Sequence, residues 1–262
     1  MKFCVGITTY NRLFLIERMS SSLNISHDIN MCNLRVYDDK SFEFNVNDIE
    51  KVFPNAKEII VRDKNLGADR NMYQMFVDFL NTDDDYLFVA DSDLIFHPDW
   101  FLFFNKYAEL DILSLYNSVS HESIGTSLES DEILHKRHIG AAGTIFKKHI
   151  VKKIIENVPP SRCYDWDWSN FLIKEGYKLN VSKRSYVQHI GIIGTNNDGG
   201  TVVDFGLNFF PGNSVNENYL IDFFQNALLS KDRFIKKSYS PKIILRKIKS
   251  LIKILKWKIN NS

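Results

Sequence analysis

The residues whose types and spacing most directly indicate a chemical role are two carboxylates, separated by one residue. Asp91 and Asp93 follow the apolar run Tyr86 to Val89, which predicts a buried strand ending at the motif. In open α/β sheets, ligands bind at the carboxyl ends of the strands. Side chains at positions i and i+2 of an extended chain point the same way, so both carboxylates can face one divalent cation that bridges phosphates. For an isolated Asp-x-Asp, a solvated loop after a strand is the competing interpretation.

A second pair of carboxylates lies in the aromatic stretch Tyr164 to Trp168. Asp165 and Asp167 stand at the start of a predicted helix over residues 167–175, which Gly176 ends. A carboxylate in this position can act as a general base that takes a proton from a hydroxyl group. The same aspartates can also serve only as caps of the helix.

Strand and helix signals alternate through the first half of the chain. Apolar runs predict strands, and apolar residues at helical spacing predict the helices between them. This order predicts an α/β fold with a mostly parallel sheet and right-handed crossovers. The predicted strands are 2–8, 33–37, 58–62 and 86–90, and the predicted helices are 11–23, 47–53 and 71–80.

The second half of the chain alternates less regularly. A polar loop is predicted over 118–132, and the stretch 189–218, rich in Gly, Asn and Asp, is predicted to be a long functional loop. The small residues Gly140 to Gly143 indicate either room for a ligand or close packing of strands. The predicted strands are 111–116, 140–146 and 179–187, and the predicted helices are 148–157 and 167–175.

Composition limits the class of protein. The chain has 262 residues, of which 44% are hydrophobic and 25% charged, and this fits one soluble α/β domain with a small appendage. Three scattered cysteines, Cys4, Cys32 and Cys163, show no metal-ligand spacing, and we interpret them as reduced thiols of a cytoplasmic protein. We expect neither a signal peptide nor a transmembrane helix.

The net charge of +1 conceals a strong asymmetry. Residues 231–262 carry 11 Lys and Arg against one Asp, a net of +10, and residues 1–230 carry 22 against 31 acidic residues, a net of −9. Within 240–260, apolar and basic side chains fall on opposite faces of a predicted amphipathic helix, which is typical of a helix lying on an anionic membrane. Docking on the acidic body or on a second copy is the alternative. We therefore expect a body over 1–230, a basic tail over 231–262 and no nucleic-acid partner.

Five separated motifs, taken in order, resemble the GT-A fold glycosyltransferases of family 2, which use nucleotide-diphosphate sugars. The resemblance covers residues 2–195 and rests on the order and spacing of the motifs, since each alone is weak. The motifs are VGITTYNR (5–12), VYDDKS (36–41), NLGADRN (65–71), DSD (91–93) and YDWDW (164–168) followed by GYK (176–178).

The resemblance implies a nucleotide pocket at the ends of the first strands, where side chains stack on the base and bond to the ribose. Asp39 would be a cap or a supporting partner. Arg70 opens a helix whose N-terminus favours anionic groups. UDP-sugars are the favoured donors. The donor-binding candidates are Thr8, Tyr10, Arg12, Asp38, Arg70, Asp91 and Ser92.

The resemblance also implies a metal site. Asp93 would bind Mn²⁺ or Mg²⁺ directly, and Asp91 would bind the metal, a metal-bound water or the ribose. His189 would complete the coordination, and its imidazole would favour Mn²⁺. The cation would offset the charge that develops on the leaving diphosphate. A packed or hydrogen-bonded role for His189 is the alternative.

The aspartates beside Trp166 stand where the family has its catalytic base. Asp165 would deprotonate the acceptor hydroxyl on the face opposite the diphosphate, which inverts the anomeric configuration, and Asp167 is the second choice. Tyr164 departs from the family pattern, which usually has Glu there. Trp166 would stack on the acceptor sugar, and the small residues of 140–143 would leave room for a hexose.

These expectations describe a metal-dependent, inverting hexosyltransferase of the kind that assembles O-antigen or capsule. Its acceptor would be a surface glycan or a polyprenyl-diphosphate-linked sugar at the inner face of the cytoplasmic membrane. A sugar nucleotidyltransferase would need a Gly-rich basic loop after the first strand, which residues 9–12 do not provide. A catalytically silent glycan- or membrane-binding module would be expected to lack one carboxylate site, and both pairs are present.

Overall fold

A computed structural model describes residues 1–119, 121–126, 130–191 and 205–225. The chain divides into two compact units, Met1–Ile190 with Asp204–Tyr219, and Gly191–Val203 with Leu220–Ser262. The first unit contains the sheet and every residue proposed above for catalysis or ligand binding. In the second unit, residues 220–225 are helical. The boundary between a body over 1–230 and a tail over 231–262 stays a prediction, because the tail lies outside the described residues.

Strands and helices alternate through the first half of the chain, as predicted. The strands are β1 (Phe3–Thr9), β2 (Cys32–Asp38), β3 (Glu58–Val61), β4 (Tyr86–Asp91), β5 (Leu94–Phe96), β6 (Ile112–Ser114), β7 (Ser123–Thr126), β8 (Ile133–Lys136), β9 (Thr144–Lys147), β10 (Asn180–Ser182) and β11 (Val187–His189). The helices are α1 (Leu13–Asn24), α2 (Val46–Val52), α3 (Ala68–Leu80), α4 (Trp100–Lys106), α5 (Lys148–Asn157) and α6 (Tyr164–Lys174), and residues 214–225 are also helical.

The first four strands, β1 to β4, are mutually parallel in a nine-stranded sheet whose order is β3-β2-β1-β4-β9-β6-β10-β8-β7, and β6 and β10 also pair in parallel. The register pairs Thr9 of β1 with Asp38 of β2, and Thr8 with Asp91 of β4. The carboxyl ends of three strands therefore meet at one edge of the sheet, which is where the sequence predicted the site. The predicted α/β class with a mostly parallel sheet flanked by helices is confirmed.

The rest of the sheet is antiparallel where it joins the parallel part. Strand β9 pairs antiparallel with both β4 and β6. A separate two-stranded ribbon joins β5 to β11 and pairs Leu94 with His189. Because β5 follows the Asp-x-Asp motif directly, this ribbon carries His189 to the same edge of the sheet.

Helices cover both faces of the sheet and bury two hydrophobic clusters. Alternate residues of β1 supply both clusters: Val5 and Ile7 pack with α1 and α4, and Cys4 packs with α3, α5 and α6. A Cβ atom on Gly6 would lie 2.7 Å from the Met75 sulfur. Glycine at this position therefore lets α3 lie close against the sheet.

Several predicted boundaries were wrong. The predicted loop over 118–132 contains β7, and the predicted strand over 179–187 divides into β10 and β11. The strand predicted from residue 140 begins at Thr144, because residues before it form a turn in which Gly143 has a φ of 77°. Helix α6 starts at Tyr164, so Asp165 lies in its first turn and not ahead of it.

Two further sequence predictions concern the membrane and the thiols. Within the described parts of the chain, no helix combines the length and the apolar character that crossing a membrane requires. The predicted amphipathic helix over 240–260 and residues 192–204 of the predicted long loop lie outside the described residues. The three cysteines form no disulfide.

Candidate active site

The loops that follow β1 and β2 are joined by hydrogen bonds. Asn11 and Arg12 have φ of 53° and 58°, a left-handed conformation that non-glycine residues rarely adopt. The Asn11 N–H donates to the Ser41 hydroxyl (2.7 Å), the Arg12 N–H donates to a Glu43 carboxylate oxygen (2.6 Å), and the Phe42 N–H donates to the Asn11 side-chain oxygen (3.0 Å). These bonds stabilise the strained turn and fix the position of Arg12.

Two carboxylates and an imidazole converge beside this turn. Asp91 ends β4, Asp93 lies in the turn before β5, and His189 ends β11. One ligand atom from each of the three side chains lies within 4.8 Å of those of the other two. His189 Nδ1 is 3.1 Å from Asp93 Oδ1. Two carboxylates with one imidazole form a ligand set that suits Mn²⁺ and, less well, Mg²⁺.

Neighbouring side chains set different electrostatics for the two aspartates. Burial opposes ionisation of Asp93, but the hydrogen bond and charge of His189, together with Arg12, outweigh it and lower its pKa to about 2. Burial raises the pKa of Asp91, although Thr8 Oγ1 donates to its Oδ1 over 3.1 Å. Asp93 is therefore the more firmly ionised of the two carboxylates.

Asp38 and Asp39 both bond to loop atoms. Asp38 is buried, and its carboxylate accepts from the hydroxyls of Thr9 (3.0 Å) and Ser41 (2.5 Å). Asp39 accepts from the N–H groups of Leu66 (2.7 Å) and Gly67 (2.8 Å) in the loop before α3. Asp39 thus acts as a supporting partner, one of the roles that the sequence suggested. A ribose or base contact for Asp38 stays a prediction.

The remaining donor-binding candidates differ in exposure. Tyr10 is half-buried, and its ring meets the exposed Phe42 ring edge-on, with centroids 6.3 Å apart. Arg70 is exposed in the first turn of α3, and Ser92 is buried between the two aspartates. Their contacts with a nucleotide stay predictions.

Asp165 and Asp167 have different surroundings in the first turn of α6. Asp165 is half-buried, and its Oδ1 accepts from the Trp166 N–H (2.9 Å). Burial raises its pKa to about 6, and the negative charges of Asp69 and Asp91 add to this effect. Asp167 is exposed and accepts a hydrogen bond from the Ser161 hydroxyl. Asp91 therefore lies near enough to Asp165 for its charge to act there.

Two further residues near Asp165 were missed by the sequence reasoning. Asp69, in the first turn of α3, acts on Asp165 through its charge. The ring of His138 stacks on Trp166, with centroids 3.8 Å apart and planes at 26°. The sequence predicted that this helix begins at residue 71, which placed Asp69 ahead of it, and no spacing pattern distinguishes His138.

The small residues of 140–143 divide between the two explanations given above. A Cβ atom on Gly143 would lie 2.6 Å from a Val187 methyl group, so close packing of the chain explains this glycine. Among the residues that the structure describes, a Cβ atom on Gly140 would meet only His121, at 3.8 Å. Space for a ligand therefore remains an explanation only at the Gly140 end of the segment.

Among the comparisons with known proteins, only the one with solved structures finds matches. No protein-family model matches the chain, and neither does any curated protein. S. aureus TarS 1-349 in complex with UDP-GlcNAc aligns over 71% of this chain and 58% of its own, with a TM-score of 0.55 and 16% identity. Mannosyltransferase PcManGT from Pyrobaculum calidifontis, in complex with GDP-Man and Mn²⁺, aligns over 71% and 58%, with a TM-score of 0.51 and 13% identity.

At sequence identities of 16% and 13%, the similarity to these two structures shows a shared fold only. The fold is that of the GT-A glycosyltransferases, as the resemblance in the sequence implied. The chain spans a little over half the length of these two structures.

Proposed function

We propose that this protein is a metal-dependent, inverting glycosyltransferase that moves a hexose from a nucleotide-diphosphate sugar to a hydroxyl group. One observation carries the proposal: Asp91, Asp93 and His189 converge at the carboxyl edge of the sheet, close enough to Asp165 for the charge of Asp91 to raise its pKa. A cation site beside a poised base is what this transfer needs.

The donor's diphosphate would lie between the metal ligands and Arg12. Asp93, Asp91 and His189 would hold Mn²⁺ or Mg²⁺, and such a cation offsets negative charge on the leaving diphosphate. The Arg12 guanidinium, 3.2 Å from Asp93, supplies a second positive charge at the same point. Thr8, Tyr10, Asp38 and the Arg70 end of α3 would contact the rest of the nucleotide, with UDP favoured.

Asp165 would act as the general base. Its carboxylate would take the proton of the acceptor hydroxyl while the hydroxyl oxygen forms a bond to the anomeric carbon. The bond from that carbon to the diphosphate oxygen breaks on the opposite face, so a single displacement inverts the configuration. A pKa of about 6 keeps Asp165 ionised at neutral pH and still basic enough to accept the proton. Asp167, exposed and bonded to Ser161, is the second choice.

The acceptor would be a surface glycan or a polyprenyl-diphosphate-linked sugar. Trp166 lies next to Asp165 in α6, and its half-buried indole ring would contact the acceptor sugar. The basic segment 240–260 would bring the enzyme to the inner face of the cytoplasmic membrane, where anionic lipids attract Lys and Arg.

The experiment that tests the function is a donor panel. The full-length protein is incubated with UDP-, GDP- and dTDP-sugars and Mn²⁺, with and without EDTA, and nucleotide release is measured. We expect release from one donor class that EDTA abolishes. Pyrophosphate-dependent formation of sugar nucleotides would indicate a nucleotidyltransferase. No turnover together with no metal-dependent nucleotide binding would indicate a binding module.

A further inference from the structure

The His138 side chain is buried between two other rings. Only 4% of His138 is exposed. Its ring stacks on Trp166, with centroids 3.8 Å apart, and meets His121 edge-on at 4.6 Å. His138 lies two residues before Gly140, the end of the small-residue segment where an added Cβ atom would meet little. The imidazole therefore packs against Trp166, the residue that follows Asp165 in α6.

The energetics of this burial point to a ligand. Neither Nδ1 nor Nε2 of His138 has a hydrogen-bond partner among the described residues. A buried polar atom without a hydrogen-bond partner destabilises the folded protein, whereas an apolar ring of the same shape carries no such cost. Phenylalanine would preserve the stack without that cost. A histidine here is therefore better explained by a bonding partner that arrives with the substrate.

The protonation state defines what that partner must be. Burial, with a further contribution from His121, lowers the pKa of His138 to about 3, so the ring is neutral at physiological pH. A neutral imidazole has one donor and one acceptor. It suits a neutral group that can both donate and accept, such as a hydroxyl, better than a phosphate or a carboxylate.

We propose that His138 determines specificity for the acceptor by bonding to hydroxyl groups of a pyranose ring that lies at the edge of the stacked His138 and Trp166 rings. The reacting hydroxyl of that ring would lie at Asp165, and a second hydroxyl would bond to His138. The proposal includes a movement of the His121 ring, which lies edge-on to His138, as the sugar enters. This inference rests on the proposed function, and it names the substrate class of the acceptor site.

Two substitutions at His138 and one control test the proposal. His138→Phe keeps a stacked ring and removes both nitrogens, and His138→Gln restores a donor and an acceptor without the ring. His149→Phe changes an exposed histidine on α5 whose Nε2 lies 3.4 Å from Asp111 and which has no role in the proposed site. The probes are octyl β-glucoside, octyl β-galactoside and octyl N-acetyl-β-glucosaminide, used with the donor that the wild-type protein turns over.

We expect His138→Phe to lower acceptor kcat/KM at least tenfold, the equivalent of one or two hydrogen bonds, while donor KM changes less than twofold. His138→Gln should recover part of the loss, and His149→Phe should behave as wild type. The melting temperature of His138→Phe should equal or exceed that of wild type.

Three results would overturn the inference: unchanged acceptor kcat/KM in His138→Phe, an equal change in donor KM, or failure of every glycoside to accelerate donor consumption by wild type. A wild-type protein that turns over no nucleotide sugar overturns the proposed function instead. The two failures are therefore distinguishable.

Discussion

The Arg12 guanidinium lies 3.2 Å from the Asp93 carboxylate, on the side of Asp93 that His189 does not occupy. Asp93 thus bonds to His189 through Oδ1 and to Arg12 through Oδ2. An arginine in this position competes with a metal ion for the carboxylate, and it also supplies positive charge for a diphosphate. The two effects have opposite consequences for the binding of a metal and of a nucleotide.

Arg12→Gln should therefore change the two affinities in opposite directions. Without the guanidinium, Mn²⁺ alone should bind a few-fold more tightly, because a competing cation has been removed. UDP or GDP with Mn²⁺ should bind about tenfold more weakly, because one charge-assisted contact is lost. Calorimetry measures both, with Lys152→Gln on α5 as the control. Affinities that move in the same direction would contradict this role for Arg12.

Asp93→Asn should abolish metal-dependent nucleotide binding. An amide carries no charge and is a poor ligand for a hard cation, so we expect Mn²⁺ affinity to fall at least 100-fold. Titration of Mn²⁺ followed by electron paramagnetic resonance gives the affinity directly. Asp63→Asn, a change at an exposed loop residue, is the matched control. Unchanged Mn²⁺ and nucleotide affinity would remove Asp93 from the metal site.

Asp165→Asn should separate chemistry from donor binding. Turnover should fall by about 10²–10⁴, which is the usual contribution of a general base, while donor affinity stays within a few-fold. Asp167→Asn, two residues away in the same helical turn, is the control and should keep most of the activity. If Asp167→Asn shows the larger loss, the base is Asp167.

The pH dependence of turnover should report the raised pKa of Asp165. A general base is active when ionised, so activity should fall as the pH falls through about 6. An aspartate with an ordinary pKa would lose activity about two units lower. Donor hydrolysis, in which water is the acceptor, can be followed from pH 4.5 to 8 with Mn²⁺ at saturation. A rate that is constant down to pH 5 would contradict the assignment of Asp165 as base.

Removal of residues 230–262 should affect membrane association more than catalysis. A chain ending at residue 229 loses a segment with a net charge of +10, each basic residue contributing about 1 kcal/mol near an anionic surface. We expect the shortened protein to hydrolyse donor but to float less with phosphatidylglycerol vesicles at low salt. Equal flotation of both proteins would favour docking of the tail on protein.

The parallel half of the sheet could be predicted because its strands are apolar runs separated by helical patterns. That reasoning also located Asp91 and Asp93 at the sheet edge, since a strand's end is visible in the sequence. The short strands β7 and β8 escaped prediction because each has only four residues and neither contains a long apolar run. Helix α4 escaped because its first five residues, Trp100 to Phe104, are all apolar and show no helical period.

Contacts between distant segments account for the rest of the site. His189 reaches Asp93 only through the β5–β11 ribbon, a pairing that no local pattern specifies. The start of α6 was predicted three residues late, because aspartates were interpreted as caps although the helix already contains Asp165. The stack of His138 on Trp166 depends on the packing of two elements and could not be predicted from the sequence.

The strained turn at Asn11 and Arg12 has a consequence for the affinity with which a ligand binds. Since Ser41, Phe42 and Glu43 hold this turn from a different loop, its backbone is ordered before any ligand arrives. An incoming diphosphate would then meet a cationic side chain on a rigid base, with little conformational entropy left to lose. Loosening the turn at Ser41 or Glu43 would weaken capture without touching a single atom that contacts the ligand.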